Sequence, residues 1–97
     1  MTYSQAISEA PVVLVEFFAT WCPHCQRMMP IVAQIKELLG SETPVVQLDI
    51  DQNQASAQEA GVDGVPTFIL YQNGQEVWRH SGEIDGNDLL AKVQSYQ

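Results

Sequence analysis

Cys22 and Cys25 are the only thiols of the chain and stand three residues apart in the stretch Trp21-Cys22-Pro23-His24-Cys25. That spacing admits three uses: a metal clip, a structural staple or a reversible redox pair. Structural zinc takes four Cys or His ligands at regular intervals. This chain has two of each, with His24 between the cysteines and His80 in a distant segment, so a site within one chain is not expected. Only a site shared between two subunits stays open. As a staple, a disulfide across so short a loop contributes only about 2 kcal/mol by the chain-entropy relation.

The redox use fits the local pattern best. A strand-like run ends just before Cys22 and a helical pattern follows, which puts Cys22 at the head of a helix. Unpaired N–H groups and the macrodipole there attract an anionic sulfur. Pro23 suits the first turn, where its missing donor costs nothing. Cys25 returns to nearly the same face one turn deeper. The expectation is an exposed nucleophile, Cys22, above a shielded resolving thiol, Cys25.

The elements that must hold this pair are legible from periodicity. Residues 11–19, PVVLVEFFA, are apolar at both parities, as in a central strand covered on both faces. From Cys22 to Leu39 the period turns helical, with Met28, Ile31, Val32, Ile35, Leu38 and Leu39 in one stripe and Gly40 as a stop. Pro30 lies inside that helix and is expected to kink it. Residues 44–50 read as a second strand, parallel to the first through a right-handed crossover.

Residues 51–61 suggest a weaker, Ala-rich helix. Residues 66–81 form a hairpin around Asn73-Gly74, suited to a type I′ turn. A last helix runs from a capping Asp85 to Tyr96. The sum is one α/β domain over residues 1–97, a mixed sheet of four to five strands with helices on both faces.

Composition narrows the partners. The net charge is −8, and Arg27, Lys36, Arg79 and Lys92 are scattered rather than clustered, so neither nucleic acid nor an anionic membrane is expected. Residues 1–11 show no positive and then apolar pattern of a signal peptide, and the longest apolar run, Val12–Phe18, is short and contains Glu16. A cytoplasmic location is the resulting expectation. In that setting a CxxC pair is catalytic or metal-binding more often than structural.

The chain also resembles the thioredoxin family along nearly its whole length. The resemblance is carried by VEFFATWCPHC, Pro30 five positions after Cys25, LDIDQN (48–53), GVPTF (64–68), Asn73-Gly74 and Gly82. It implies the thioredoxin fold, a monomer, and reduction of protein disulfides with no cofactor beyond the Cys22–Cys25 disulfide. It further implies recharging by a thioredoxin reductase. By the same resemblance, Cys22 attacks and Cys25 resolves, and Pro66 is cis against the cysteines. Trp21, Gly64, Val65, Pro66 and Gly82 line a substrate groove, with the backbone of Val65 pairing with an extended peptide.

Three positions depart from the family pattern. Pro23-His24 replaces Gly-Pro and resembles the bacterial periplasmic disulfide oxidases. A His beside Cys22 that supports its thiolate raises the reduction potential. The expected potential therefore lies between those of thioredoxin, near −270 mV, and the oxidase, near −120 mV. Glu16 replaces a buried Asp. It shares a strand face with Val12, Leu14 and Phe18, so burial and a raised pKa suit it to take a proton from Cys25. Gln47 replaces the accompanying Lys and leaves Glu16 without a cation, although its amide can still hydrogen-bond the carboxyl. The rival activities are an oxidising or isomerising enzyme, or a binding module on the same fold.

Overall fold

The computed structural model describes residues 1–97. Its elements, in chain order, are α1 (Tyr3–Ile7), β1 (Val12–Phe18), α2 (Pro23–Leu39), β2 (Val45–Asp49), α3 (Gln54–Glu59), β3 (Thr67–Gln72), β4 (Gln75–Ser81) and α4 (Gly86–Gln94). The four strands form one mixed sheet in the order β2-β1-β3-β4. β1 runs parallel to β2 and antiparallel to β3, and β3 pairs antiparallel with β4.

Alternation along the central strands builds two cores. Val12 and Leu14 of β1, with Phe68 and Leu70 of β3, face Met28, Val32, Ile35 and Leu39 of α2 and Leu89 and Val93 of α4. Val13, Val15 and Phe17, with Ile69 and Tyr71, face the other way, onto Ala57 of α3 and onto Tyr3 and Ile7 of α1. Burial at both parities of β1 thus reflects helices on both sides of it. No helix is long and apolar enough to cross a membrane.

The hairpin turn forms as expected, with Asn73 at φ 52° and Gly74 at φ 80°, the two positive values a type I′ turn requires. β4 carries a bulge: Leu70 pairs with Trp78 but Tyr71 pairs with Glu76, which skips Val77. α2 continues through Pro30 and stops at Gly40, whose φ is 62°.

Two elements differ from expectation. Residues 2–8 carried no predicted element, yet α1 forms there. Thr2 Oγ1 accepts from Gln5 N–H at 3.1 Å while Thr2 N–H donates to Gln5 Oε1 at 2.9 Å. This is a reciprocal capping box, and Tyr3 Oη then meets Tyr71 Oη at 2.6 Å. α3 is shorter than 51–61 because Asp49 diverts the backbone before it. Its Oδ1 accepts from Asp51 N–H at 2.9 Å, and its carbonyl accepts from Asn53 Nδ2 at 3.0 Å. Such local side-chain bonds offer the chain a turn in place of a helix.

Candidate active site

The site forms where β1 ends and α2 begins. Even-numbered residues of β1 lead to it on one face: Val12 and Leu14 lie in the α2–α4 core, Glu16 follows, and Phe18 packs against the cysteines. Cys22 is the N-cap of α2, with extended φ −93° and ψ 114°, and Pro23 takes the first helical turn. Cys22 Sγ accepts the N–H of Cys25 at 3.2 Å, the place a Ser or Asp oxygen fills at other helix heads. Its second contact is the carbonyl of Val65, to which the thiol donates at 3.7 Å.

The two cysteines differ in exposure less than expected. Cys22 is 4% exposed and Cys25 2%, so the sulfur expected to attack is not an open surface group. The difference lies in what each borders. Cys22 lines a cavity of about 450 Å³ with Trp21, His24, Ile50, Asp63 and Val65, whereas Cys25 lies off it. Burial pushes the Cys25 thiol up to about 12, helped by its hydrogen bond with Cys22 and by the negative charges of Cys22 and Glu16. A backbone hydrogen bond at Ala19 opposes part of that rise. Cys25 therefore stays protonated at neutral pH and needs a base before it can attack.

Glu16 is 2% exposed and Gln47 is its register partner on β2. Burial raises the pKa of its carboxyl, and a hydrogen bond from Gln47 Nε2 to Oε1 at 3.1 Å offsets part of the effect. A buried carboxyl without a cation is suited to accept a proton. Of the residues expected to tune the pair, Gln47 makes the hydrogen bond to Glu16 that is expected of it. His24 does not meet Cys22 as expected. Its Nδ1 lies 2.7 Å from Glu83 Oε2, and Cys22 Sγ has no imidazole partner. The ring is drawn toward Glu83 and Arg27 and not to the sulfur.

The remaining predicted residues divide between the groove and its support. Trp21, Gly64 and Val65 line the cavity. Trp21 is 63% exposed, and its Nε1 donates to Asp51 Oδ2 at 2.9 Å. The Val65–Pro66 bond is cis, and Pro66, expected in the groove, does not line the cavity. Gly82, at φ 97°, donates its N–H to the Pro66 carbonyl at 2.8 Å, so it braces the Pro66 segment and does not line the cavity. No three His, Cys, Asp or Glu side chains gather as a metal-binding set. Sequence reading missed Asp51, Asp63, Arg27 and Glu83. Asp51 stands inside the LDIDQN stretch, but its bond to Trp21 spans 30 residues and no local periodicity signals it.

Comparison with known proteins agrees with this geometry. The thioredoxin family model matches residues 1–95. A chloroplastic thioredoxin Y from Oryza sativa subsp. japonica is 39% identical over 91% of this chain and 52% of its own length. The chain spans about half the length of the chloroplastic relatives it matches. A bifunctional thioredoxin reductase/thioredoxin from Mycobacterium leprae is 38% identical over 82% of this chain and 18% of its own. Among solved structures, a mutant thioredoxin from Halobacterium salinarum superposes with a TM-score of 0.87. It is 36% identical and covers 96% of this chain and 80% of its own.

Proposed function

We propose, since the chain belongs to the thioredoxin family, that it reduces protein disulfides by thiol–disulfide exchange through Cys22 and Cys25. The observation that carries this reading is the cap bond from Cys25 N–H to Cys22 Sγ, beside an apolar groove. It places an acceptor sulfur at a helix head with a second, protonated sulfur one turn behind.

The Cys22 thiolate attacks one sulfur of the substrate disulfide, and the other leaves as a thiolate. A mixed disulfide results. Cys25 then gives its proton to Glu16, directly or through one water, and attacks Cys22 Sγ. The bond to substrate breaks and the second substrate sulfur departs. Two electrons have moved to the substrate, and the chain is left with a Cys22–Cys25 disulfide. The Val65 N–H makes no hydrogen bond within the chain and is free to pair with an extended substrate segment, while Trp21 and Gly64 shape the groove.

The electron donor in this reading is a thioredoxin reductase, and the Mycobacterium leprae relative, by its name, joins the two functions in one chain. In the same reading the chain works as a monomer in a reducing, cytoplasmic compartment and serves cell redox balance and electron transfer there. Insulin reduction with NADPH and a thioredoxin reductase tests the whole scheme. Wild type is expected to turn over, Cys22→Ser to be inert, and Cys25→Ser to accumulate mixed disulfide. Activity that survives Cys22→Ser overturns it.

A further inference from the structure

Both histidines of the chain converge on Glu83, the residue that follows Gly82 in the loop from β4 to α4. His24 Nδ1 lies 2.7 Å from Glu83 Oε2, and His80 Nε2 lies 3.0 Å from the Glu83 carbonyl oxygen. Arg27, one turn further along α2, donates to the same Oε2 from Nε at 3.0 Å and from Nη2 at 2.8 Å. Arg27 Nη2 also stands 2.7 Å from His24 Nδ1.

This arrangement holds the ring whatever its protonation. With a proton, Nδ1 donates to Glu83; without one, it accepts from Arg27 Nη2. Glu83 stays ionised throughout, since the Arg27 guanidinium and then His24 hold its carboxyl down to about 2. Cys22 Sγ meanwhile touches the Cys25 N–H and the Val65 carbonyl. His24 follows Cys22 by two positions and borders the same cavity, with its ring nitrogen turned to Glu83 and Arg27.

We propose that Glu83 is a positioning residue for the cysteine pair: it holds His24 aside, withholds the imidazole from the Cys22 thiolate, and so keeps the couple reducing. This rests on the redox reading of Cys22 and Cys25. Reduction of the pair consumes two glutathione thiols, which supply two electrons and two protons and leave as glutathione disulfide. Whatever stabilises the Cys22 thiolate draws this equilibrium toward the reduced chain.

The test is equilibration of wild type, Glu83→Ala, His24→Ala and the double variant in glutathione buffers, read by thiol alkylation. Glu83→Ala is expected to shift the equilibrium about tenfold toward the reduced form, equivalent to about +30 mV for a two-electron couple. His24→Ala and the double variant are expected to match wild type, because without the ring Glu83 has nothing to hold. If the Glu83 charge acted on the thiolate directly, its removal would shift the equilibrium equally with and without His24. A shift that persists in the His24→Ala background therefore overturns the proposal, as does an unshifted Glu83→Ala. Failure of the catalytic reading shows separately, as insulin reduction independent of Cys22, while the glutathione equilibrium still reports on Glu83.

Discussion

Replacing Glu16 by Gln should separate the two chemical steps. Burial raises the Cys25 thiol, and that cause persists when Cys22 is tied up in the mixed disulfide, so little Cys25 thiolate is present at pH 7. Resolution of the mixed disulfide therefore depends on a base, and Glu16 is the buried carboxyl whose charge bears on Cys25. A positioned base contributes about 10²–10⁴-fold. Part of that loss is returned, because removing the Glu16 charge also removes one of the influences that raise Cys25. The expected net effect is at the lower end, about 100-fold slower resolution at pH 7.

An aromatic disulfide reports both steps, since one coloured thiolate leaves on attack by Cys22 and a second on resolution by Cys25. In stopped flow the first phase should hold within about twofold of wild type while the second slows. The deficit should shrink by about tenfold for each pH unit of increase, as solution hydroxide replaces the lost base. A second phase within about threefold of wild type at pH 7, or equal slowing of both phases, refutes Glu16 as the base.

Glu16 also makes a pH-dependent contribution to stability. Its folded pKa is raised above the unfolded value of 4.5, so between the two the unfolded chain binds fewer protons than the native one. Stability from this group is therefore present below pH 4.5 and is lost as pH rises toward its folded pKa; Glu16→Gln should gain on wild type in urea titrations from pH 4 to pH 8, and a constant difference would sink the idea. Leu89, fully buried between α4 and the sheet, makes a control distant from the chemistry. Leu89→Ala should cost about 2–5 kcal/mol in urea unfolding yet leave the first-phase attack rate of folded protein unchanged; a slowed attack would tie the α2–α4 core to the site.

How much of this was legible in the residues depends on the distance over which each feature is set. The head of α2 is local: Cys22 as cap, Pro23 in the first turn and Cys25 one turn on follow from spacing alone. The burial of β1 at both parities and the Asn73-Gly74 turn are local as well. α1 was legible too, in Thr2 and Gln5, but a five-residue helix has too few apolar positions to register as a period. Glu16 is intermediate. Its alternation on β1 announces burial, while its pairing with Gln47 spans 31 residues and follows from the β1–β2 register.

Neighbouring residues are enough to specify a βαβ-type chain that presents a cysteine pair at a helix head and carries a buried carboxyl on β1. Covalent spacing and backbone period control such features, and both are written in neighbouring residues. Tertiary structure alone decided what each active-site side chain touches. Cys22 meets Val65 across 43 residues, and His24 meets Glu83 across 59. Those meetings are made by the segments after β1, before β3 and after β4, which gather at one end of the sheet. A histidine beside a cysteine suggests a partner for its sulfur. A carboxylate and a guanidinium arriving from elsewhere in the fold compete for the same ring nitrogen, and in this fold they hold it.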